Sequence, residues 1–241
     1  MKFLTAQFSC IGTRDTNEDC MGYISKRSSY GVWAVADGLG GHSNGEVASK
    51  CAVDEVLSAF AENKNIEYEN AMEIMSRANR AVWLKQGEEH GYDSMKTTLA
   101  AVFMRRGRIS IAHAGDSRVY IFRKNRIVFQ TRDDTLCQLQ MEDGEPGDVR
   151  FMENRNQLLC ALGAYSKLIA NATENPIALK RGDAILLCTD GFWERILEEK
   201  MEDTLSISAT PERWLQIMRM HLERDMCPRQ DNYTAMAVMI K

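Results

Sequence analysis

An acidic residue at the end of an apolar run is the first feature of the chain that could do chemistry. Asp37 follows the apolar residues 32–36 and precedes Gly38, Gly40 and Gly41. Such a run is typical of a buried strand, and a carboxylate at its end is costly to desolvate unless it is paired or bound to a cation. Hard ions such as Mg²⁺ and Mn²⁺ take carboxylate and carbonyl oxygens. Asp37 and the Gly38 carbonyl are therefore candidate metal ligands; the alternative is an ordinary Asp-Gly hairpin turn.

Three further acids have a similar context. Asp116 and Asp190 each follow an apolar strand, and Asp231 precedes one. Strand ends on neighbouring strands meet in space, where several carboxylates repel one another strongly. One or two divalent cations would resolve that repulsion. Each acid alone could mark a plain turn, but the four together, with Glu18 and Asp19 in reserve, favour a metal site.

Oxygen-only ligation by paired metal ions points to hydrolysis of a phosphate ester. Arg14 lies near the acids in sequence and could clamp a phosphate through its bidentate guanidinium. The chain has no Walker-A loop and no Gly-x-Ser-x-Gly elbow, so neither a P-loop nucleotide site nor a serine nucleophile of that type is indicated. The four histidines show no metal-ligand spacing.

Composition bounds the class of protein. The chain has 241 residues and a formal net charge of −4, which argues against a nucleic-acid partner bound through its phosphates. It lacks an apolar run long enough to span a membrane and a signal-peptide core. The chain has seven cysteines, an odd number, and none of them form a Cys-x-x-Cys pair. A reducing cytoplasm is therefore the simplest location. We expect a cytoplasmic monomer with no membrane partner.

The elements that position the acids follow from periodicity and turn residues. Residues 1–241 contain no linker or repeat, so they predict one domain, and the irregular polar stretch 142–156 is typical of a lid or binding loop. The order of elements favours antiparallel sheets with segregated helices. Strands are predicted at 3–11, 19–25, 29–37, 97–104, 109–114, 119–122, 126–131, 184–188 and 234–240, and helices near 47–60, 70–88 and 133–142 and from Thr210-Pro211 onwards.

Six motifs in order along the chain carry a resemblance to a known family. The chain resembles the PPM family of metal-dependent protein serine/threonine phosphatases (protein phosphatase 2C type), in its compact bacterial form. The motifs span nearly the whole sequence and are highly specific together. They are residues 12–19 (Gly-Thr-Arg-Asp-Thr-Asn-Glu-Asp), 36–42 (Ala-Asp-Gly-Leu-Gly-Gly-His), 97–99 (Thr-Thr-Leu), 114–120 (Ala-Gly-Asp-Ser-Arg-Val-Tyr), 186–193 (Leu-Leu-Cys-Thr-Asp-Gly-Phe-Trp) and 231–234 (Asp-Asn-Tyr-Thr).

The resemblance implies an α+β fold, a four-layer α-β-β-α sandwich of two antiparallel sheets flanked by helix pairs. It also implies two Mn²⁺ or Mg²⁺ ions. Asp37 would bridge them, the Gly38 carbonyl would join one, and Asp190 and Asp231 would complete the other.

The remaining site residues receive their roles from the same resemblance. Glu18 and Asp19 would hold metal-bound waters, and Arg14 would bind the substrate phosphate. Asp116 matches the acid that helps to bind a third, looser metal in bacterial members. Asn232 would orient Asp231 or water, and residues 140–157 fall where the family carries a mobile flap.

Three positions depart from the family pattern. Leu39 stands where the eukaryotic branch often has a histidine, proposed as a general acid, so protonation of the leaving group falls to metal-bound water. Lys96 replaces the glycine that usually precedes the Thr-Thr pair, and Asp134 replaces the histidine of the usual Asp-His. None of the three is a metal ligand, but Lys96 and Asp134 could alter substrate approach.

The function implied is hydrolysis of phosphoserine and phosphothreonine in proteins by a metal-bridging hydroxide, opposing Ser/Thr kinase signalling. Phosphorylated proteins are then the substrates, and a Ser/Thr kinase and its targets the partners. Two other functions stay open at this point: a non-catalytic module that binds phosphoproteins or a kinase, and a hydrolase of small phosphorylated metabolites.

Overall fold

The structure, a computed structural model, describes residues 2–26, 30–39, 44–62, 68–89, 95–144, 147–165, 167–225 and 228–241. The strands are β1 (Phe3–Cys10), β2 (Asp19–Lys26), β3 (Tyr30–Leu39), β4 (Lys96–Thr97), β5 (Leu99–Arg105), β6 (Arg108–Ala114), β7 (Arg118–Arg123), β8 (Arg126–Gln130), β9 (Asn171–Ala172), β10 (Ile177–Ala178), β11 (Ala184–Cys188) and β12 (Tyr233–Ile240). The helices are α1 (Gly45–Glu62), α2 (Tyr68–Glu89), α3 (Leu136–Glu142), α4 (Asp190–Trp193), α5 (Glu198–Ser206) and α6 (Pro211–Arg224).

Two antiparallel sheets form the centre of the fold. The first sheet has the strand order β1-β12-β11-β7-β8, and the second has the order β10-β6-β5-β3-β2. The short strands β4 and β9 pair with β3 and β6 at the margins of the second sheet. Strands that are distant in sequence become neighbours, since β1 pairs with β12 along its whole length.

Three apolar layers hold the sheets and helices together. Side chains from both sheets meet in the middle, among them Val102, Ile185 and Val238. The outer face of the second sheet packs on α1 and α2, and the outer face of the first sheet packs on α5 and α6. The expected α+β sandwich of four α-β-β-α layers is therefore confirmed.

Burial explains the sequence patterns of the strands. All residues of β11, including Cys188, and all residues of β12 are buried, because a central strand has a sheet on one side and helices on the other. The edge strand β8 alternates between exposed and half-buried residues, as expected for a strand with one solvated face.

Several predicted boundaries were wrong. The strand predicted at 97–104 is two strands, β4 and β5, which are separated at Thr98. The helix predicted at 133–142 begins only at Leu136, where the Thr135 hydroxyl accepts a hydrogen bond from the Gln138 amide. Tertiary contacts override local propensity at both places, since Thr98 bonds to β3 and residue 134 bonds to Gly115.

Helices α4 and α5 and the short strands β9 and β10 were not predicted. Helix α5 buries only Met201, Thr204 and Leu205, so its apolar periodicity is too short to see in sequence. It is stabilised by α6, because the Trp214 indole donates to the Met201 carbonyl and to the Thr204 hydroxyl. The predicted cap of α6 is confirmed, since the Thr210 hydroxyl accepts from the Arg213 amide.

The predicted irregular stretch 142–156 contains one 3-10 helical turn, Val149–Phe151. Gly40, Gly41, His42 and residues 145–146 lie outside the described residues, so the second half of the glycine motif is not described. Among the helices that the structure describes, none combines the length and the hydropathy needed to traverse a bilayer.

The apolar layer between the two sheets can be tested by substitution of one of its valines. Val238 is fully buried there, whereas Val128 on β8 is 54% exposed. We expect Val238→Ala to lower the free energy of unfolding by about 1–3 kcal/mol, because it removes buried methyl groups and leaves a cavity. Urea denaturation followed by circular dichroism measures this, with Val128→Ala as the matched control. Equal effects of the two substitutions would contradict the assignment of Val238 to the core.

Candidate metal centre

The acids singled out in the sequence meet at one end of the sandwich. Asp19 begins β2 and lies directly opposite Asp37 in the β2–β3 register. Asp190 follows β11, and Asp231 precedes β12, which is the neighbour of β11. Because β2 and β3 belong to one sheet and β11 and β12 to the other, both sheets contribute carboxylates to this end.

Asp37 lies near the end of β3, among the other acids. Burial raises its pKa well above the usual range, and the charges of Asp190, Asp19 and Asp116 raise it further. Its carboxyl group shares a hydrogen bond with that of Asp190. The Thr98 hydroxyl accepts a hydrogen bond from the Asp37 amide at 2.9 Å, and the Thr98 amide donates to the Asp37 carbonyl at 2.8 Å. Thr98, the residue between β4 and β5, therefore fixes the backbone of Asp37.

Asp190 is the first residue of α4, and its carboxylate is held by a backbone amide of the same helix. The Gly191 amide donates to Asp190 Oδ1 at 2.6 Å. Burial raises the pKa of Asp190 to about 6, with the charges of Glu194 and Asp231 acting in the same direction.

Asp19 provides an observation that bears directly on metal binding. Its Oδ2 accepts from the Thr189 hydroxyl at 2.9 Å, but its Oδ1 is buried and receives no hydrogen bond from any described group. Burial raises the pKa of Asp19 to about 7, and the charges of Asp190 and Asp231 contribute. A buried carboxylate oxygen without a donor is stabilised by a cation, so this oxygen fits a hard divalent ion.

Asp116 lies between β6 and β7 in a turn that glycine makes possible. Gly115 has φ +94°, and a Cβ there would lie 2.7 Å from Thr98 Cγ2. The Thr98 and Ser117 hydroxyls are 2.7 Å apart. Burial raises the pKa of Asp116 well above its usual range, followed by the charges of Asp190 and Asp133. Asp116 therefore shares the electrostatic environment of the other acids.

An aromatic and ionic cluster supports the Asp116 turn. The Trp193 indole donates to the Asp116 carbonyl at 2.9 Å. The Arg118 guanidinium lies 3.3 Å from the centre of the Trp193 ring and donates both ends of its fork to Asp133, at 2.8 and 2.7 Å. Stacking and bidentate pairing together fix the planar guanidinium, so the backbone around Asp116 is rigid.

Glu18 is accompanied by a second glutamate that the sequence reasoning missed. Burial raises the pKa of Glu18, and the charge of Glu46 in the first turn of α1 raises it further. Glu46 Oε2 is the other buried oxygen that lacks a donor among the described residues. The only sequence signal was its place five residues after the last glycine of the motif 38–41.

Gly38 is required for a steric reason, in addition to the expected role of its carbonyl as a metal ligand. A Cβ at this position would lie 2.1 Å from the Gly45 carbonyl oxygen, so the close approach of α1 to β3 excludes a larger residue. The Gly38 amide donates to the Glu18 carbonyl at 3.1 Å, which ties the end of β3 to the segment before β2.

Arg14 and Asn232 connect the segment before β2 to Asp231. Arg14 Nη2 lies 2.6 Å from Asp231 Oδ2 in a half-exposed ion pair. The Asn232 side chain accepts from the Glu18 amide and donates to the carbonyls of Ile11 and Thr16. Asn232 thus fixes the loop that carries Arg14 and Glu18, and its backbone amide, not its side chain, bonds to Asp231.

The stretch expected to form a flap contributes a cation that sequence reasoning did not identify. The Arg155 guanidinium pairs with Glu194 at 2.5 Å. Glu194 lies four positions after Asp190 in the sequence. The charges of Asp190 and Asp231 help to raise the pKa of Arg155, so its side chain lies within electrostatic reach of the acids. No spacing or motif marks Arg155 in the sequence.

The acids are gathered but do not form a closed cage. Within the described ranges, no three His, Cys, Asp or Glu side chains converge as a ready-made ion cage. The carboxylates bond instead to one another, to Arg14 and to Thr189. The raised pKa values of Asp19, Asp37, Asp116 and Asp190 and the donor-free oxygen of Asp19 are what a hard divalent cation would relieve.

The comparisons with known proteins agree with this geometry. A family model described as Protein phosphatase 2C matches residues 7–224. The serine/threonine phosphatase Stp of Listeria welshimeri is 32% identical over 199 residues, 80% of this chain and 78% of that protein.

Solved structures also match along nearly the whole chain. The crystal structure of the Mycobacterium tuberculosis serine/threonine phosphatase PstP/Ppp has a TM-score of 0.86 and 26% identity, and the match covers 99% of each chain. The catalytic domain of PstP in complex with two manganese ions has a TM-score of 0.80 and 25% identity, with 99% of both chains covered.

The raised pKa values predict how pH changes the stability of the metal-free protein. A group whose pKa is raised on folding binds its proton more tightly in the folded state, so its contribution to stability is present at low pH and is lost as pH rises through the folded pKa. For Asp19, this contribution to stability is lost between pH 3.8, its ordinary pKa, and about pH 7, its pKa in the folded protein. We expect Asp19→Asn to raise the melting temperature in EDTA at pH 8 more than at pH 5.

Thermal unfolding of wild type and variant at both pH values measures this difference. Asp15→Asn in the exposed part of the same segment is the matched control, and its exposed side chain makes no packing contact whose loss would change the melting temperature much. If Asp19→Asn had the same effect at pH 5 and pH 8, Asp19 would not hold a proton in the folded state.

Proposed function

The chain belongs to the protein phosphatase 2C family, and from this premise we propose that it hydrolyses phosphoserine and phosphothreonine in proteins in a metal-dependent reaction that opposes Ser/Thr kinases. The observation that carries the proposal is the convergence of Asp37, Asp19 and Asp190, all with raised pKa values, beside the exposed Arg14. Carboxylates that repel one another and a nearby guanidinium suit two divalent cations and a phosphate.

The metal ligands come from both sheets. Asp37, the Gly38 carbonyl, Asp190 and Asp231 would hold two Mn²⁺ or Mg²⁺ ions. Glu18 and Asp19 would hold water molecules beside these ions, and Asp116 would help to hold a third, looser ion. The buried, donor-free Oδ1 of Asp19 supports this assignment. When bound, the ions lower the pKa of a shared water and neutralise charge on the phosphoryl oxygens.

The chain's own residues bind and orient the substrate. Arg14 is 59% exposed at its side chain and pairs with Asp231 only at one end of its guanidinium, so it can turn its fork towards a phosphate without leaving the site. Asn232 holds the loop that carries Arg14. At position 39, next to the acids, β3 carries a leucine, so no side chain there can donate a proton to the leaving group.

Further parts of the proposal rest on sequence and on the comparisons. Residues 1–241 act as one catalytic domain, and residues 140–157 form a flap beside the site; the pairing of Arg155 with Glu194 supports that position. Phosphorylated proteins are the substrates, a Ser/Thr kinase supplies them, and the protein works as a cytoplasmic monomer. The six described cysteines form no disulfide with one another, which agrees with a reducing compartment.

Substitution of the bridging acid tests the metal assignment. We expect Asp37→Asn to lower kcat with a phosphopeptide and saturating Mn²⁺ by on the order of a thousandfold or more, because several kcal/mol of transition-state stabilisation are lost. The variant should stay folded, since removal of a repelled charge relieves the site. Asp15→Asn is the matched control and should keep wild-type turnover.

Calorimetric titration with Mn²⁺ separates loss of metal from loss of fold in the same variants. Wild-type and Asp15→Asn protein should bind Mn²⁺, and Asp37→Asn should bind it more weakly. Near-normal turnover by Asp37→Asn would refute the metal assignment. Higher kcat/KM for small phosphorylated metabolites than for phosphopeptides would move the substrate class away from proteins.

The role of Arg14 has a separate kinetic signature. We expect Arg14→Ala to raise KM for a phosphopeptide roughly tenfold to a hundredfold, as expected for loss of a charged hydrogen bond, with a smaller change in kcat. Arg14→Lys should recover part of the loss, because lysine keeps the charge but not the fork. An unchanged KM together with a changed Mn²⁺ affinity would mean that Arg14 acts only on Asp231.

A further inference from the structure

Basic turns gather at the end of the sandwich opposite the acids. The β5–β6 hairpin closes with Arg105 paired to Arg108, and the β7–β8 hairpin closes with Arg123 paired to Arg126. A third turn, residues 180–183, precedes β11 and bonds to the end of β12 through Gly182. Since β5, β7 and β12 all run away from the acids, the register places these three turns at the far end.

Direct contacts join the three turns into one surface. The Leu179 amide donates to the Gly107 carbonyl at 2.9 Å, and Arg123 donates to the Ala178 carbonyl at 3.0 Å and pairs with Asp183 at 2.7 Å. We call this surface the basic face. It consists of Arg105, Arg106, Arg108, Arg123, Lys124, Arg126, Lys180 and Arg181.

The positive charge of the basic face is only partly compensated. Asp183 pairs with Arg123, Glu202 from α5 pairs with Arg126, and the charges of Asp203 and Glu199 also act on Arg126. In the described part of the chain, no carboxylate pairs with the exposed side chains of four members: Arg106, Lys124, Lys180 and Arg181. The whole chain has a net charge of −4, so positive charge is segregated to this end.

Backbone conformation gives an independent reason to assign a role to these cations. Arg106 and Lys124 have φ +49° and +52° and are followed by Gly107 and Asn125 with φ +76° and +61°. This left-handed geometry suits two-residue hairpin turns, but it favours Gly or Asn over long side chains at both positions. Both hairpin tips carry a cation where a neutral residue fits better, and such strain is concentrated at functional positions.

The arrangement of the cations selects the kind of partner. None of these turn residues is aromatic, so the basic face lacks the stacking groups of single-strand nucleic-acid sites. A substrate protein held there would lie roughly 23 Å from the acids, the length of an eight-residue strand such as β12. A lipid surface, in contrast, can contact all three turns at once.

We propose that the basic face binds the anionic surface of a lipid membrane and leaves the acidic end directed away from it. The sequence alone led us to expect no membrane partner, because it lacks a spanning segment. Peripheral binding through Lys and Arg needs no such segment. None of the exposed large apolar residues lies in the described turns 105–108, 123–126 and 180–183, so the attraction is electrostatic and sensitive to salt.

Vesicle sedimentation tests the proposal with the intact chain. We expect wild-type protein to sediment with phosphatidylcholine vesicles that contain about 30% phosphatidylserine at roughly 0.1 M salt, and not with phosphatidylcholine alone. The combined variant Arg106→Asn, Lys124→Asn, Lys180→Gln and Arg181→Gln should reduce the partition constant at least about tenfold, since each cation contributes roughly fivefold. Asn fits both left-handed positions, so the melting temperature should not fall.

A charge-matched control separates the basic face from net charge. The combined variant Arg80→Gln, Lys200→Gln, Arg213→Gln and Arg224→Gln removes four cations from α2, α5 and α6 and should bind vesicles as wild type does. Both combined variants should hydrolyse p-nitrophenyl phosphate at the wild-type rate. The proposal is overturned if the first variant keeps wild-type binding, if the control loses as much, or if wild type binds RNA or polyglutamate but no anionic vesicle.

Discussion

Repulsion between desolvated carboxylates is the interaction on which this structure depends. Asp19, Asp37, Asp116 and Asp190 lie together at one end of the sandwich, and desolvation raises the pKa of each above its ordinary range. The fold must therefore hold like charges close together against their mutual repulsion. Antiparallel ladders that are buried on both faces provide this resistance, because a strand cannot retreat without breaking its hydrogen bonds and its apolar packing.

Polar side chains at the strand ends transmit this rigidity to the acids. Thr98 fixes the backbone of Asp37, and Thr189 connects the carboxylate of Asp19 to the β11–β12 pair. Asn232 fixes the loop before β2 with three hydrogen bonds. Because the two sheets contribute different acids, the apolar layer between the sheets sets the distances between these acids.

The family resemblance predicted the four layers, and the apolar runs predicted the strands next to the main acids; physical causes separate these successes from the misses. Long apolar runs such as 32–36 and 184–188 and the cap at Thr210 are local signals, so they could be recognised without the fold. Helix α5, Glu46 and Arg155 depend on tertiary neighbours: α5 needs the Trp214 indole, Glu46 needs the approach of α1 to β3, and Arg155 needs Glu194. Such contacts leave no periodic or motif pattern in a single sequence.

The complete burial of β11 has a consequence for redox chemistry. Cys188, its last residue, lies two positions before Asp190, and burial raises the pKa of its thiol far above the usual range. The thiolate is the form that peroxides and alkylating reagents attack, and here it is both rare and shielded. The Cys188 sulfur atom is thus shielded from oxidants, whereas Cys20, which directly follows Asp19, is only half-buried.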